Sequence, residues 1–80
     1  MRVEEIRSIL SENPHQAFSI HLTNGRSVLA QALDYVFFPP RSQTIVVAVR
    51  DGGVAIIDCA TVSEIRPHSR AKKSSRPSPA

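Results

Sequence analysis

The sequence predicts a mainly β fold, in which one N-terminal α-helix precedes five short antiparallel strands that bend into a small barrel. Apolar residues repeat at helical spacing near the start of the chain. Alternating and β-branched segments follow, separated by the tight-turn sequences Asn24-Gly25 and Asp51-Gly52-Gly53. Short strands joined by tight turns avoid exposed sheet edges by closing on themselves, which predicts the barrel.

Residues 2–12 are predicted to form the helix. Its apolar stripe consists of residues three and four apart, namely Val3, Ile6, Ile9 and Leu10. Pro14 ends the helix, because the residue before a proline avoids the α region. A helix of about three turns is not stable alone. We therefore expect the stripe to pack on the open end of a barrel, either its own or that of a neighbouring copy.

The first hairpin contains the first two predicted strands. Strand one is predicted from Ala17 to Thr23, because apolar and polar side chains alternate there. Strand two is predicted from about Arg26 to Val36. The small residues Ala30 and Ala32 lie within it and permit the sharp bend of a barrel corner.

Three more strands are predicted in the second half of the chain, at residues 44–50, 54–60 and 63–66. Residues 45–49 of the third strand are apolar on both faces, and such a strand is covered on both faces. One cover is the domain core, and the other is either the helix or a second subunit. Pro67 ends the last strand.

The length and composition of the chain predict one small cytoplasmic domain. A chain of 80 residues buries only about 60% of its unfolded surface, so its stability is marginal. Cys59 is the single cysteine, which excludes an internal disulfide and leaves oligomerisation as the added stabiliser. No stretch approaches the roughly 20 apolar residues of a membrane span. The acidic start of the chain is unlike a signal peptide.

The charge is divided unevenly along the chain. Residues 1–65 carry a net charge of −2, whereas residues 66–80 carry +5 and no acid. Residues 68–80 lack large apolar side chains, which predicts a disordered basic tail after a barrel domain at residues 1–67. Attraction to a polyanion is therefore expected mainly in the tail.

A family resemblance lies in the first hairpin and at the end of the predicted domain. Ile20, Leu22, Gly25 and Val28 follow one spacing pattern, with Ala30 at its last position. This pattern resembles the first motif of the Sm-like small barrels, which prefer glycine at that last position and include the bacterial RNA chaperone Hfq. The segment ATVSEIRPHSR resembles the last link and strand of that chaperone. The hairpin also resembles short bacterial proteins with an FxIHLTxGR sequence.

The resemblance implies a five-stranded, bent antiparallel barrel of the Sm or SH3 type that forms a homo-oligomer and contacts single-stranded RNA. It does not extend to the chaperone's Tyr-Lys-His triplet, which holds uridine, because Asp58, Cys59 and Ala60 occupy those positions. An RNA site in this chain is therefore expected outside residues 58–60.

The candidate nucleic-acid-binding residues fall into two groups. Basic tail residues bind phosphates without sequence preference by releasing counterions. This group comprises Arg66, Arg70, Lys72, Lys73 and Arg76. The second group lies in the barrel and comprises His21, Tyr35 and Arg41, because aromatic and basic side chains together can stack on bases. The alternatives are a solvated strand histidine, an aromatic cluster of residues 35–38 that fills the core or an interface, and a tail that only aids solubility.

The sequence predicts a binding module rather than an enzyme. A reactive thiol needs a basic neighbour, and the residues beside Cys59 are Asp58 and Ala60. Gly52-Gly53 is a hairpin turn rather than a phosphate loop, since no helix follows it. No metal or cofactor is expected. The leading hypothesis is a non-catalytic homo-oligomer that contacts RNA, and the alternative is a protein–protein interaction or small regulatory domain without a nucleic-acid role.

Overall fold

A computed structural model describes residues 1–68 of the chain as one helix and six short strands. The helix is α1 (Val3–Glu12). The strands are β1 (Phe18–Leu22), β2 (Ser27–Ala30), β3 (Val36–Phe37), β4 (Thr44–Ala48), β5 (Val54–Asp58) and β6 (Val62–Pro67). Two single-turn 3-10 helices span Leu33–Tyr35 and Cys59–Thr61. The predicted tail residues Arg70, Lys72, Lys73 and Arg76 lie outside the described residues.

The strands form two antiparallel three-stranded sheets. Sheet A has the order β2-β1-β6, and sheet B has the order β3-β4-β5. The prediction of a mainly β fold with an N-terminal helix is confirmed. Within residues 1–68 no strand pairing joins the two sheets into a closed barrel. A cleft of about 310 Å³ separates β2 from the β4–β5 hairpin, with Val28, Leu29 and Ala55 among its lining residues.

The second predicted strand is divided between the two sheets. Its first part is β2 and its last part is β3, with the 3-10 turn at Leu33–Tyr35 between them. At this turn the Leu33 amide donates to the carbonyl oxygen of Pro14 (2.9 Å), and the Tyr35 amide donates to that of Ala32 (3.0 Å). Because these two amides donate to carbonyl groups outside the sheets, they do not pair with a neighbouring strand. The strand is therefore interrupted here, whereas the sequence predicted one continuous strand with a sharp bend.

One hydrophobic core fills the space between the sheets and the helix. The helix contributes Val3, Ile6 and Leu10, and the strands and links contribute Phe18, Ile20, Ala30, Ile45, Val47, Ile57, Cys59 and Val62. The helix thus packs on the sheets of its own chain, which decides between the two placements that the sequence left open. A residue far away in the sequence holds the N-terminus of the helix, since the Val3 amide donates a hydrogen bond to Oε1 of Gln43 (3.0 Å).

Strand β4 has different surroundings on its two sides. Ile45 and Val47 face the core and are fully buried, whereas Val46 and Ala48 face outward and are half-buried. The helix stripe belongs to the core on the inner side, so the helix, which was one of the two alternatives for the second cover, does not cover the outer side. Within residues 1–68, the outer side of sheet B is left without a covering layer.

Gly25 provides the tight turn of the first hairpin, and its replacement is our first prediction. Its φ of +91° lies in the left-handed region, and an added Cβ would meet nothing within 4 Å. Gly25→Ala should therefore destabilise the fold through backbone strain alone, by about 1–2 kcal/mol. Urea denaturation of the purified variant measures this difference.

The matched control for this prediction is Gly53→Ala in the second hairpin. An added Cβ at Gly53 would meet Oδ1 of Asp51 at 3.5 Å, which is an ordinary van der Waals distance, and the backbone there is outside the left-handed region. We expect a change of less than about 0.5 kcal/mol, typical of surface substitutions. Equal losses for the two variants would contradict the assigned turn geometry.

Candidate interaction surfaces

The structure places two of the predicted nucleic-acid-binding residues on the outer face of sheet A. His21 lies on β1 directly opposite Glu64 of β6, and Arg66 lies two residues further along β6. Nε of Arg66 forms an ion pair with a carboxylate oxygen of Glu64, and both side chains are exposed to solvent. Glu64 therefore offsets the positive charge of Arg66, and a phosphate would have to compete with this carboxylate.

Arg41 lies in a different place, in the loop between β3 and β4. This loop and the start of α1 form a groove of about 470 Å³, which we call the arginine groove; it is lined by Val3, Glu4, Arg7 and residues 38–43. Arg41 has a φ of 56°, the single non-glycine positive φ within residues 1–68. A strained backbone of this kind is retained where the surrounding structure or a function requires it.

Arg7 is a member of the arginine groove that sequence analysis missed. Its Cζ atom lies 4.8 Å from the ring centroid of Phe38, a cation–π contact. The two residues are distant in sequence, and no local pattern marks them as partners. Because Arg7 covers the Phe38 ring, a base could stack on this ring only after displacing the guanidinium.

The aromatic residues near β3 point in different directions. Phe37 is 60% exposed on the outer face of sheet B, while Phe38 packs under Arg7 and against the core. Tyr35 is 44% exposed at the end of its 3-10 turn. The three aromatics therefore do not form a single stacking platform, and His21 and Arg66 lie on the other sheet.

The largest exposed apolar side chains lie together on the outer face of sheet B. Phe37 of β3 is paired with Val46 of β4, and Val46 is paired with Ile56 of β5, so the three side chains form a row across the sheet. Ala48 and Val54 form the next pair on the same face. We call these five residues the outer patch. Val54 is 63% exposed and Ile56 is 72% exposed.

A polar pair limits the outer patch at one end. Thr44 and Asp58 are cross-strand partners on the same face as Val46 and Ile56. The Asp58 carboxylate accepts a hydrogen bond from the Ala60 amide (3.0 Å) and so caps the second 3-10 helix. None of the five residues of the outer patch carries an ionisable group, so the patch favours an apolar partner surface over a polyanion.

Cys59 is fully buried in the core. Burial raises the pKa of its thiol, because the thiolate would lose its hydration. A buried thiol with a raised pKa is a poor nucleophile at neutral pH. Within residues 1–68 no three His, Cys, Asp or Glu side chains are close enough to hold a metal ion together.

Comparison with known proteins finds no matching family model and no significant match among curated proteins or solved structures. In the described part of the chain, no helix has both the length and the apolar character that crossing a membrane requires.

Proposed function

We propose that this chain is a non-catalytic binding module that forms a homo-oligomer and contacts single-stranded RNA through its basic tail. The observation that carries the RNA part is the division of charge, with −2 on residues 1–65 and +5 on residues 66–80. Lysine and arginine side chains bind the phosphate backbone by releasing condensed counterions. The faintly acidic folded part makes the tail the main site of attraction.

The folded part is proposed to be a variant of the Sm-like small barrel. Helix α1 precedes the strands, and β2 and β3 together occupy the position of one long bent strand that is shared by two sheets. Sheet order β6-β1-β2 then continues into β3-β4-β5 through the break at Leu33–Tyr35. In this role the two sheets are the scaffold, and Arg41 supplies an additional cation from the arginine groove.

The RNA proposal predicts a salt-dependent affinity that is lost when the tail charges are removed. For single strands, each phosphate contact contributes about −0.7 to the slope of log affinity against log salt concentration. Affinity should therefore fall about 50-fold between ~50 mM and ~200 mM salt if four contacts are made, by Arg70, Lys72, Lys73 and Arg76. The full-length variant with all four residues changed to serine should lose this binding. Fluorescence anisotropy with a labelled single-stranded RNA measures both quantities.

A pair of single variants tests the contribution of the folded part. Arg41→Ala should reduce the magnitude of the salt slope by about 0.7 if this side chain contacts one phosphate. Arg26→Ala is the matched control, because Arg26 is an exposed arginine in the first hairpin turn, outside the arginine groove.

Two outcomes would contradict the RNA proposal. Absence of RNA binding by the full-length chain at low salt would reject it. Binding by the four-serine variant with an unchanged salt slope would exclude the tail as the binding site.

The alternative function is a protein–protein interaction domain with no nucleic-acid role. The observation that favours it is the outer patch, whose side chains are apolar and exposed. The ion pair of Arg66 with Glu64 also reduces the positive charge that the folded part offers to RNA. This alternative would replace the RNA proposal if the full-length chain self-associates and shows no RNA binding at low salt.

A further inference from the structure

We propose that the outer patch is the surface on which a second copy of this chain packs, so that the two B sheets face each other across a two-fold axis. The inference rests on the homo-oligomeric part of the proposed function and names the surface that would form the oligomer. It does not depend on RNA binding.

One copy of the chain leaves a contiguous apolar surface exposed to water. Phe37, Val54 and Ile56 are each 60–72% exposed, and Val46 and Ala48 lie between them. With fully exposed side chains of about 150–200 Å² each, the outer patch presents on the order of 400 Å² of mainly apolar surface. This area lies within the roughly 300–600 Å² of the largest apolar patch on a typical monomer, and such a patch is often functional.

A partner that covers the outer patch must approach from the face of sheet B and not from its edge. Phe37 lies on one edge strand of sheet B and Ile56 lies on the other, about 10 Å apart across two strand spacings. A partner strand that paired with the free edge of β5 would contact Ile56 and leave Phe37 in water. Only a partner that lies on the face of the sheet covers both side chains.

The area and the charge of the outer patch favour a second copy of this chain as the partner. A two-fold contact uses the same surface on both chains, so it buries roughly 800 Å² from the two patches. With the surrounding rim it reaches about 1,000 Å², the lower limit for a specific interface. The outer patch contains no charged side chain, and Asp58 stands at its end with a hydrogen bond to the Ala60 amide. Self-packing therefore places no like charges at the centre of the contact.

The test is the mass of the full-length chain in solution. Sedimentation velocity over a range of concentrations should show the wild type at twice the 8.8 kDa chain mass. Ile56→Glu and Phe37→Glu, on opposite edge strands, should each weaken dimerisation by about 30-fold or more, because each places a charge within an apolar contact. Ser27→Glu is the matched control, since it adds the same charge to an exposed strand position of sheet A.

Each outcome decides the proposal. Loss of the dimer in both patch variants, with Ser27→Glu unaffected, supports it. A wild type that stays monomeric overturns it together with the homo-oligomeric part of the proposed function, whereas an oligomer that survives both variants overturns this surface alone. Loss with Ile56→Glu but not Phe37→Glu would indicate edge pairing at β5 and would also overturn it. Circular dichroism checks folding, and Ile56→Ser and Phe37→Ser replace any glutamate variant that loses its sheet signal.

Discussion

Replacement of Ile57 by alanine is expected to lower the free energy of unfolding by about 3 kcal/mol, because truncation of a buried isoleucine removes apolar contacts and leaves a cavity. Ile57 is 4% exposed on β5, opposite the fully buried Ile45. Total stabilities of small domains are roughly 5–15 kcal/mol, so this loss is a large fraction for a chain of 80 residues. Urea denaturation followed by circular dichroism measures it.

The neighbouring residue provides the control for this prediction. Ile56→Ala is the same chemical change one position earlier on the same strand, at a side chain that is 72% exposed. At protein concentrations where the chain is monomeric, we expect a loss of less than about 0.5 kcal/mol. A larger loss at Ile56 than at Ile57 would mean that β5 presents its other face to the core, because a register shift of one residue exchanges the two faces.

Replacement of Ile6 by alanine is expected to cost a similar amount, about 3 kcal/mol. Ile6 is fully buried at the centre of the helix stripe and belongs to the same cluster as Ile20 and Ile45. A ten-residue helix is not stable without this packing, so loss of the contact weakens the helix as well as the core. The decrease in the free energy of unfolding, measured by urea denaturation, should be the same at all protein concentrations, because the helix stripe packs on its own chain.

Ser8→Ala is the control for the helix prediction. Ser8 is exposed on the same helix, and alanine has the higher helix propensity, so the change should be within about 0.5 kcal/mol of the wild type. A destabilisation by Ile6→Ala that grows or disappears with protein concentration would contradict the intramolecular packing of α1. It would instead indicate that the helix covers a neighbouring copy.

Local patterns predicted most of the elements to within two residues. The helix was predicted at residues 2–12 and is observed at Val3–Glu12, because helix ends depend on the nearby Pro14 and on the period of the apolar stripe. The first strand was predicted from its alternation, and Phe18 and Ile20 are buried as that alternation requires. Asn24-Gly25 marked the hairpin turn, since only such residues adopt positive φ at low cost.

The candidate surfaces were predicted less well than the elements. The sequence identified Arg66 as a cation but not its ion pair with Glu64, although both lie on one face of a single strand. It grouped the aromatics of residues 35–38, whereas the structure turns Phe37 outward and packs Phe38 under Arg7. The tail cations remain a prediction from charge alone.

The types and order of the elements, the tight turns and the separation of charge follow from the amino-acid sequence alone. These properties depend on neighbouring residues and on short periods, which a linear pattern contains. Three features became visible only in the folded chain: the second strand divides at Leu33–Tyr35, Gln43 holds the helix N-terminus, and within residues 1–68 the outer face of sheet B is uncovered. Each of these features depends on contacts or spaces between segments far apart in the chain, and the core packing that sets them is a property of all the segments together.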